Sequence, residues 1–373
     1  MAGIYIHIPF CVKKCLYCDF VSDCGTKEDM SRYQHALQRE ILNTPVNEKA
    51  DTVFFGGGTP SVYPAGYTAA LLELFRQKNV LSDNCEITIE VNPGTVDREK
   101  LMFYRKAGIN RLSIGLQSAD DIELKLLGRI HDYDDFIKTY EEARAAGFEN
   151  INIDLISAIP GQTVVSYENT LRKILDLSPE HISAYSLIVE EGTPLYERQE
   201  EYTFPDEEDE REMYYLTKRL LQENGYFRYE ISNYAKKGYA CRHNLKYWSR
   251  ENYYGFGTAA ASLVNPVRYT NITDRTKYIE ADGDIKRIRA EATELSGQEQ
   301  IEEFMFLGLR KMEGVSVQEF KDKFHMPIEE IYGQVIEKAV DKGLLTRNLS
   351  QQTLCLTERG IDVSNVVMAE FLL

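Results

Sequence analysis

Ile4-Tyr5-Ile6-His7-Ile8-Pro9-Phe10-Cys11-Val12-Lys13-Lys14-Cys15-Leu16-Tyr17-Cys18-Asp19-Phe20 is an apolar run that ends at Pro9 and passes into three cysteines spaced C-x3-C-x2-C. A short β-rich run bounded by proline reads as a strand, and the cysteines follow as its loop. Thiolates are soft ligands that suit iron–sulfur clusters and zinc. A [4Fe–4S] cluster normally takes four cysteines, and structural zinc takes four ligands. The triplet therefore leaves one metal position open, as a cluster that also binds a small molecule requires. Structural zinc with a distant fourth ligand and three unrelated cysteines are the competing readings.

Outward from this stretch, β-rich runs alternate with helical ones. Strands are expected at Ile4–Ile8, Thr52–Phe55, Glu86–Val91, Arg111–Leu116, Ile151–Ile156 and Ile182–Ile188. Helices are expected near Lys27–Leu42, Ala65–Gln77, Asp97–Ala107, Asp134–Ala146 and Ser166–Leu175, with Gly108 and Gly147 placed as C-terminal stops. Such βα repeats with near-continuous apolar strands imply a parallel sheet covered by helices and right-handed crossovers. Six units are too few for the eight-stranded barrel, so the expected α/β fold is an incomplete (β/α)6 barrel.

The unusual residues fall just past the strands' C-terminal ends, where such a fold carries its site. The cysteines follow the first strand, and Gly56-Gly57-Gly58-Thr59-Pro60-Ser61 follows the second. The third ends at Glu90-Val91-Asn92-Pro93, the fourth at Gly115-Leu116-Gln117-Ser118, and the fifth carries Asp154. Taken singly, Glu90 or Asp154 reads as a capping or salt-bridging residue; together the strand ends point to one rim. Consecutive glycines let backbone approach a ligand with no Cβ in the way, and unpaired N–H groups there bind anions. No G-K-[ST] follows, so the run is not a phosphate-binding P-loop. A tight turn is its bland alternative.

Cys11-x3-Cys15-x2-Cys18 with Tyr17 before the last cysteine, followed by Gly56-Gly57-Gly58-Thr59-Pro60, resembles the radical S-adenosylmethionine superfamily over roughly residues 1–235. The resemblance implies a [4Fe–4S] cluster on Cys11, Cys15 and Cys18, with S-adenosylmethionine on the fourth iron, and it sets the zinc reading aside. It further implies cofactor contacts from Tyr5, Tyr17, Gly57, Gly58, Thr59, Glu90, Gln117, Arg129 and Asp154. Glu90 is matched to the cofactor's ammonium and Arg129 to its carboxylate, through charge-assisted hydrogen bonds.

Beyond the sixth strand the pattern changes. Pro205-Asp206-Glu207-Glu208-Asp209-Glu210 reads as a solvated helix start, since acidic first turns suit the macrodipole. His243-Asn244-x2-Tyr247-Trp248 holds the chain's only tryptophan. It resembles a motif of heme chaperones in the porphyrin-related branch. An imidazole ligates heme iron and aromatic rings pack on the macrocycle, although a lone histidine is more often a structural hydrogen-bonder. Tyr253-Tyr254-Gly255-Phe256-Gly257 is expected as a turn at the same cleft. Helices at Ile301–Met312, Val317–Lys323 and Pro327–Lys342, then a strand at Thr353–Leu356, resemble a winged helix. The expected division is a core domain at 1–235, a connecting segment with the histidine motif at 236–297, and a C-terminal winged-helix-like domain at 298–373.

Composition bounds the rest. A chain of 373 residues, 27% charged and 43% hydrophobic, is an ordinary globular protein. A net charge of −16 argues against a nucleic-acid partner, the winged helix included. No apolar run is long enough to span a bilayer, and the start does not read as a signal peptide. Seven cysteines, an odd count with three clustered, fit a reducing cytoplasm.

The resemblance leaves two main functions, with a radical enzyme acting on heme itself as a third. One is a heme chaperone that passes heme to acceptor proteins, membrane-bound respiratory proteins among them, with a homodimer as its expected assembly. The other is oxygen-independent coproporphyrinogen III oxidase. The oxidases resemble C-x3-C-x2-C-x-C and carry an arm ahead of the cluster loop. Here Phe20 stands at the extra cysteine's position and ten residues precede Cys11, so the chaperone is favoured.

Overall fold

The computed structural model describes residues 1–373. Six strands, β1 (Ala2–Ile8), β2 (Ala50–Gly57), β3 (Leu81–Val91), β4 (Arg111–Gln117), β5 (Ile151–Ser157) and β6 (His181–Ser186), pair in parallel in chain order. Helices at Lys27–Asn43, Ala65–Gln77, Arg98–Ala107, Tyr133–Ala145 and Val164–Leu177 connect them. Their apolar stripes bury Leu37, Leu72, Leu101, Phe136 and Leu171 against the sheet. Gly108 and Gly147 take φ of 99° and 87°, the left-handed conformation that ends the two helices before β4 and β5.

The sheet does not close. β7 (Phe227–Glu230) and β8 (Asn233–Ala235) add antiparallel beyond β6. On the other side β9 (Tyr253–Phe256) lies parallel to β1, followed by β10 (Ala261–Val264), β11 (Val267–Asn271) and β12 (Arg289–Glu294). The result is one twelve-stranded sheet whose parallel centre is an incomplete barrel. Residues 253–256, expected as a turn, are thus a strand. Gly255 permits it, since a Cβ there would lie 2.1 Å from the Ala261 carbonyl. Much of the segment expected to connect two domains is woven into the main sheet.

A second core of 16 buried residues lies in the C-terminal part, separate from the 51-residue core under the sheet. It joins helices Gly297–Gly308, Val317–Phe324 and Ile328–Asp341 to an antiparallel sheet of β13 (Val315–Ser316), β14 (Leu345–Asn348) and β15 (Thr353–Leu356), with β15 in the middle. This winged-helix arrangement docks through the buried pair Arg250–Glu303, 2.8 Å, and through the Met312 amide, which donates to the Tyr229 carbonyl at 3.0 Å.

Candidate functional site

The barrel encloses a cavity of about 590 Å³, running from the cysteine loop down to His243 and Arg111. Its wall follows from strand alternation, because successive side chains point to opposite faces. On β4, Arg111, Ser113, Gly115 and Gln117 line the cavity, while Leu112, Ile114 and Leu116 are buried in the core behind. On β5, Asn152, Asp154 and Ile156 face inward.

At the rim, Phe10 anchors the cysteine loop by stacking on Tyr63 with ring centroids 5.8 Å apart. The Cys11 amide donates to the Asp23 carbonyl, 3.0 Å, and the Leu16 amide to the Leu127 carbonyl, 3.0 Å. The thiols sit in a ring of polar contacts. Thr59 Oγ1 donates to Cys11 Sγ at 3.4 Å, and Asn92 Nδ2 donates to Thr59 Oγ1 at 3.0 Å. Arg129 donates to Asn92 Oδ1 at 2.9 Å, to the Gly115 carbonyl at 2.6 Å, and to Cys15 Sγ at 3.6 Å. Asn92 therefore ties the two thiols' partners together, a role that its sequence position did not reveal. Tyr17 lies beside Arg129 in the same wall. Burial pushes the Cys18 thiol up to about 11. Cys24 stays outside, donating to the Val12 carbonyl at 3.2 Å.

No three His, Cys, Asp or Glu side chains converge on a single-ion position. The three cysteines instead share one cavity wall, an arrangement that suits a multi-iron cluster in which each thiolate takes its own metal. The glycine run differs from its expected anion-binding form. The Gly57 amide donates to Glu90 Oε2 at 3.2 Å, the Gly58 amide to the Ile8 carbonyl at 2.9 Å, and the Thr59 amide to the Phe10 carbonyl at 2.8 Å. Those amides hold the cysteine loop and Glu90 in place. Gly58 has no room for a side chain, as a Cβ would lie 2.9 Å from Cys11 Sγ.

Glu90 and Asp154 share the cavity wall, with Gln117 beside them. Burial, then the nearby Asp154, raises Glu90 to about 8. Burial also raises Asp154, although it accepts from Asn152 Nδ2 at 2.8 Å and Ser113 Oγ at 3.0 Å. Glu90 and Asp154 thus bring two carboxyl groups into one cavity, where a bound cation would favour their charged forms. Tyr5 adds a hydroxyl that shares a hydrogen bond with His7 Nδ1 at 3.1 Å.

At the deep end the helix Arg242–Trp248 presents His243, Asn244 and Tyr247 to the cavity. The His243 imidazole is buried, with Nδ1 bonded to Thr52 Oγ1 at 2.8 Å and Nε2 to the Tyr247 hydroxyl at 2.9 Å. Its ring stacks on Phe54 at 5.3 Å, and burial pulls its pKa down to about 3, so it is neutral. Trp248 does not join this group. A residue five positions on from His243 is rotated about 140° round the helix, and its ring lies instead under Arg310 of the C-terminal module, 4.2 Å away. Sequence reading missed Phe54, Arg111, Ser113, Asn152 and Ser183 on the inner wall, and the buried Thr52 that holds His243. The available signal was polar residues recurring at every second position in otherwise apolar strands.

Comparison with known proteins agrees with this geometry. Residues 5–174 match the radical SAM superfamily and residues 295–363 the HemN C-terminal domain. An incomplete parallel barrel with three rim cysteines is the build of a radical S-adenosylmethionine protein. The chain is 37% identical to the heme chaperone HemW of Bacillus subtilis, over 100% of this chain and 99% of the relative. It is 38% identical to the heme chaperone HemW of Lactococcus lactis, over 99% and 97%. The structure of coproporphyrinogen III oxidase (HemN) from Escherichia coli superposes with a TM-score of 0.86 at 20% identity, covering 100% of this chain and 90% of that one, a likeness of fold. The chain belongs to the HemW family of the radical SAM superfamily. Membership of that superfamily implies a [4Fe–4S] cluster and S-adenosylmethionine, and the thiol wall and the Glu90–Asp154 pair fit them. No helix is long and apolar enough to cross a membrane.

Proposed function

We propose that this protein is a heme chaperone that holds a [4Fe–4S] cluster with S-adenosylmethionine, binds heme, and passes it to acceptor proteins. The observation that carries this reading is one continuous cavity joining the cysteine rim to the His243–Tyr247 wall, in a chain similar along its whole length to heme chaperones. Cys11, Cys15 and Cys18 take the cluster. Tyr5, Tyr17, Gly57, Gly58, Thr59, Glu90, Gln117, Arg129 and Asp154 take S-adenosylmethionine, with the carboxylates on its ammonium and Arg129 on its carboxylate. A cluster held there would supply an electron for chemistry at the sulfonium. Heme lies against His243, Asn244 and Tyr247, with Trp248 bracing the motif helix from behind. His243 Nε2 reaches iron only by releasing the Tyr247 hydroxyl. The protein works in the cytoplasm, and its acceptors include membrane-bound respiratory proteins; homodimers are a proposed assembly.

Coproporphyrinogen oxidation is the second reading, and the fold likeness alone does not separate the two. Phe20, exposed beside Cys18 where the oxidase pattern has a cysteine, favours the chaperone. Hemin titrated into anaerobically reconstituted protein is expected to bind, while coproporphyrinogen with S-adenosylmethionine and a reductant yields no protoporphyrinogen. Product formation would reverse the order of the two readings.

A further inference from the structure

Arg111 opens β4 with its side chain on the cavity face and is 1% exposed. Other buried or half-buried arginines are matched: Arg250 pairs with Glu303 at 2.8 Å, Arg129 donates to Asn92 and Gly115, and Arg228 donates to the Ile231 carbonyl at 2.9 Å. Single nitrogens of Arg129, Arg250 and Arg310 are also buried without partners, but Arg111 makes no side-chain hydrogen bond or ion pair, and its own Nε is buried and unpartnered. The adjacent carboxylates are engaged elsewhere. Glu86 Oε1 accepts from the Arg242 and His243 amides at 3.0 and 3.2 Å, and Asp154 accepts from Ser113 and Asn152.

An arginine stays charged in a protein, and an unmatched buried charge is costly. Its planar fork fits a carboxylate in two parallel hydrogen bonds. We propose that Arg111 anchors a ligand carboxylate at the deep end of the cavity. Arg111 stands six positions before Gln117 on β4, at most about 20 Å at ~3.3 Å per residue. The carboxylate therefore belongs to a part of the ligand far from the thiols, distinct from the group proposed for Arg129. A tetrapyrrole propionate and an amino-acid carboxylate share this chemistry. Preferring the propionate rests on the chaperone reading; the anchor itself does not.

Two ligand pairs test it on the reconstituted protein: hemin against its dimethyl ester, and S-adenosylmethionine against its decarboxylated analogue. Esterification is expected to weaken hemin binding about tenfold or more. Arg111→Gln should bring hemin down to the ester's level and leave the ester unchanged, with Arg111→Lys intermediate because it keeps the charge but loses the fork. Discrimination in the S-adenosylmethionine pair that Arg111→Gln removes assigns the anchor to an amino-acid carboxylate instead. If Arg111→Gln fails to fold, as judged by circular dichroism, Arg111→Lys carries the comparison. If hemin does not bind at all, the chaperone reading fails and the S-adenosylmethionine pair alone decides on Arg111. A difference between S-adenosylmethionine and its analogue that survives Arg111→Gln belongs to Arg129; the anchor is overturned if Arg111→Gln removes the discrimination in neither pair.

Discussion

The cysteine loop and the histidine helix are both short runs of ligand-type residues, yet the structure treats them in opposite ways. At the rim, Cys11 and Cys15 each receive one long hydrogen bond, from Thr59 and Arg129, so the sulfurs keep capacity for metal. At the deep end, both nitrogens of His243 are used, by Thr52 and Tyr247. The first motif is ready for a ligand and the second is closed on itself. The residue type names the chemistry available, and the hydrogen-bond capacity left over decides whether it is free.

The comparison breaks most sharply at Cys15. Cys15→Ala is expected to abolish the cluster's visible absorbance after anaerobic reconstitution; a full cluster in the variant would remove Cys15 from the ligand set.

Glu90 sharpens the rim's side. Its carboxyl is raised from 4.5 to about 8 in the folded protein. Between those values the folded state binds more protons than the unfolded state, so this group makes stability fall as pH rises across the window and level off above it. Glu90→Gln should flatten that slope in urea unfolding followed from pH 5 to 8. A bound ammonium favours the carboxylate, so S-adenosylmethionine binding at pH 7 should release a proton, seen by calorimetry in buffers of different ionisation enthalpy. Equal proton release from Glu90→Gln would place the titration elsewhere.

Gly58→Ala forces a methyl against Cys11 Sγ and the Phe10 carbonyl, each of which would lie 2.9 Å from the new Cβ. Overpacking of this kind costs about 1–3 kcal/mol, to be read as a lowered thermal midpoint; an unchanged midpoint would mean that the loop yields easily.

The smallest effect tests the closed motif. Tyr247→Phe frees His243 Nε2 from a hydrogen bond worth about 1 kcal/mol, a several-fold change in affinity. Hemin should bind the variant more tightly, and adding His243→Ala should erase the gain. Unchanged or weaker binding by Tyr247→Phe would make His243 part of the wall and not an iron ligand.

Much of the fold was legible. Each of the six strands was placed from its apolar run, and the helix stops at Gly108 and Gly147 from the left-handed conformation glycine tolerates. β9 was not legible, because its pairing with β1 joins Gly3 to Tyr253 across most of the chain, and Tyr253–Gly257 also carries the composition of a turn. The rim residues were visible as punctuation after strands. Ser113, Asn152 and Ser183 were not, since single polar residues in apolar strands read as noise until the sheet curls and turns them inward.

The sequence by itself determined the ligand chemistry and the order of βα units, because cysteine spacing and hydrophobic periodicity are local properties of the chain. Only the tertiary structure decided which donors remain free. It committed the glycine amides to the cysteine loop and Glu90, closed His243 on its neighbours, turned Trp248 toward Arg310, and left Arg111 unmatched. Each outcome depends on residues distant in sequence competing for the same hydrogen bonds, and that competition exists only once the chain has folded.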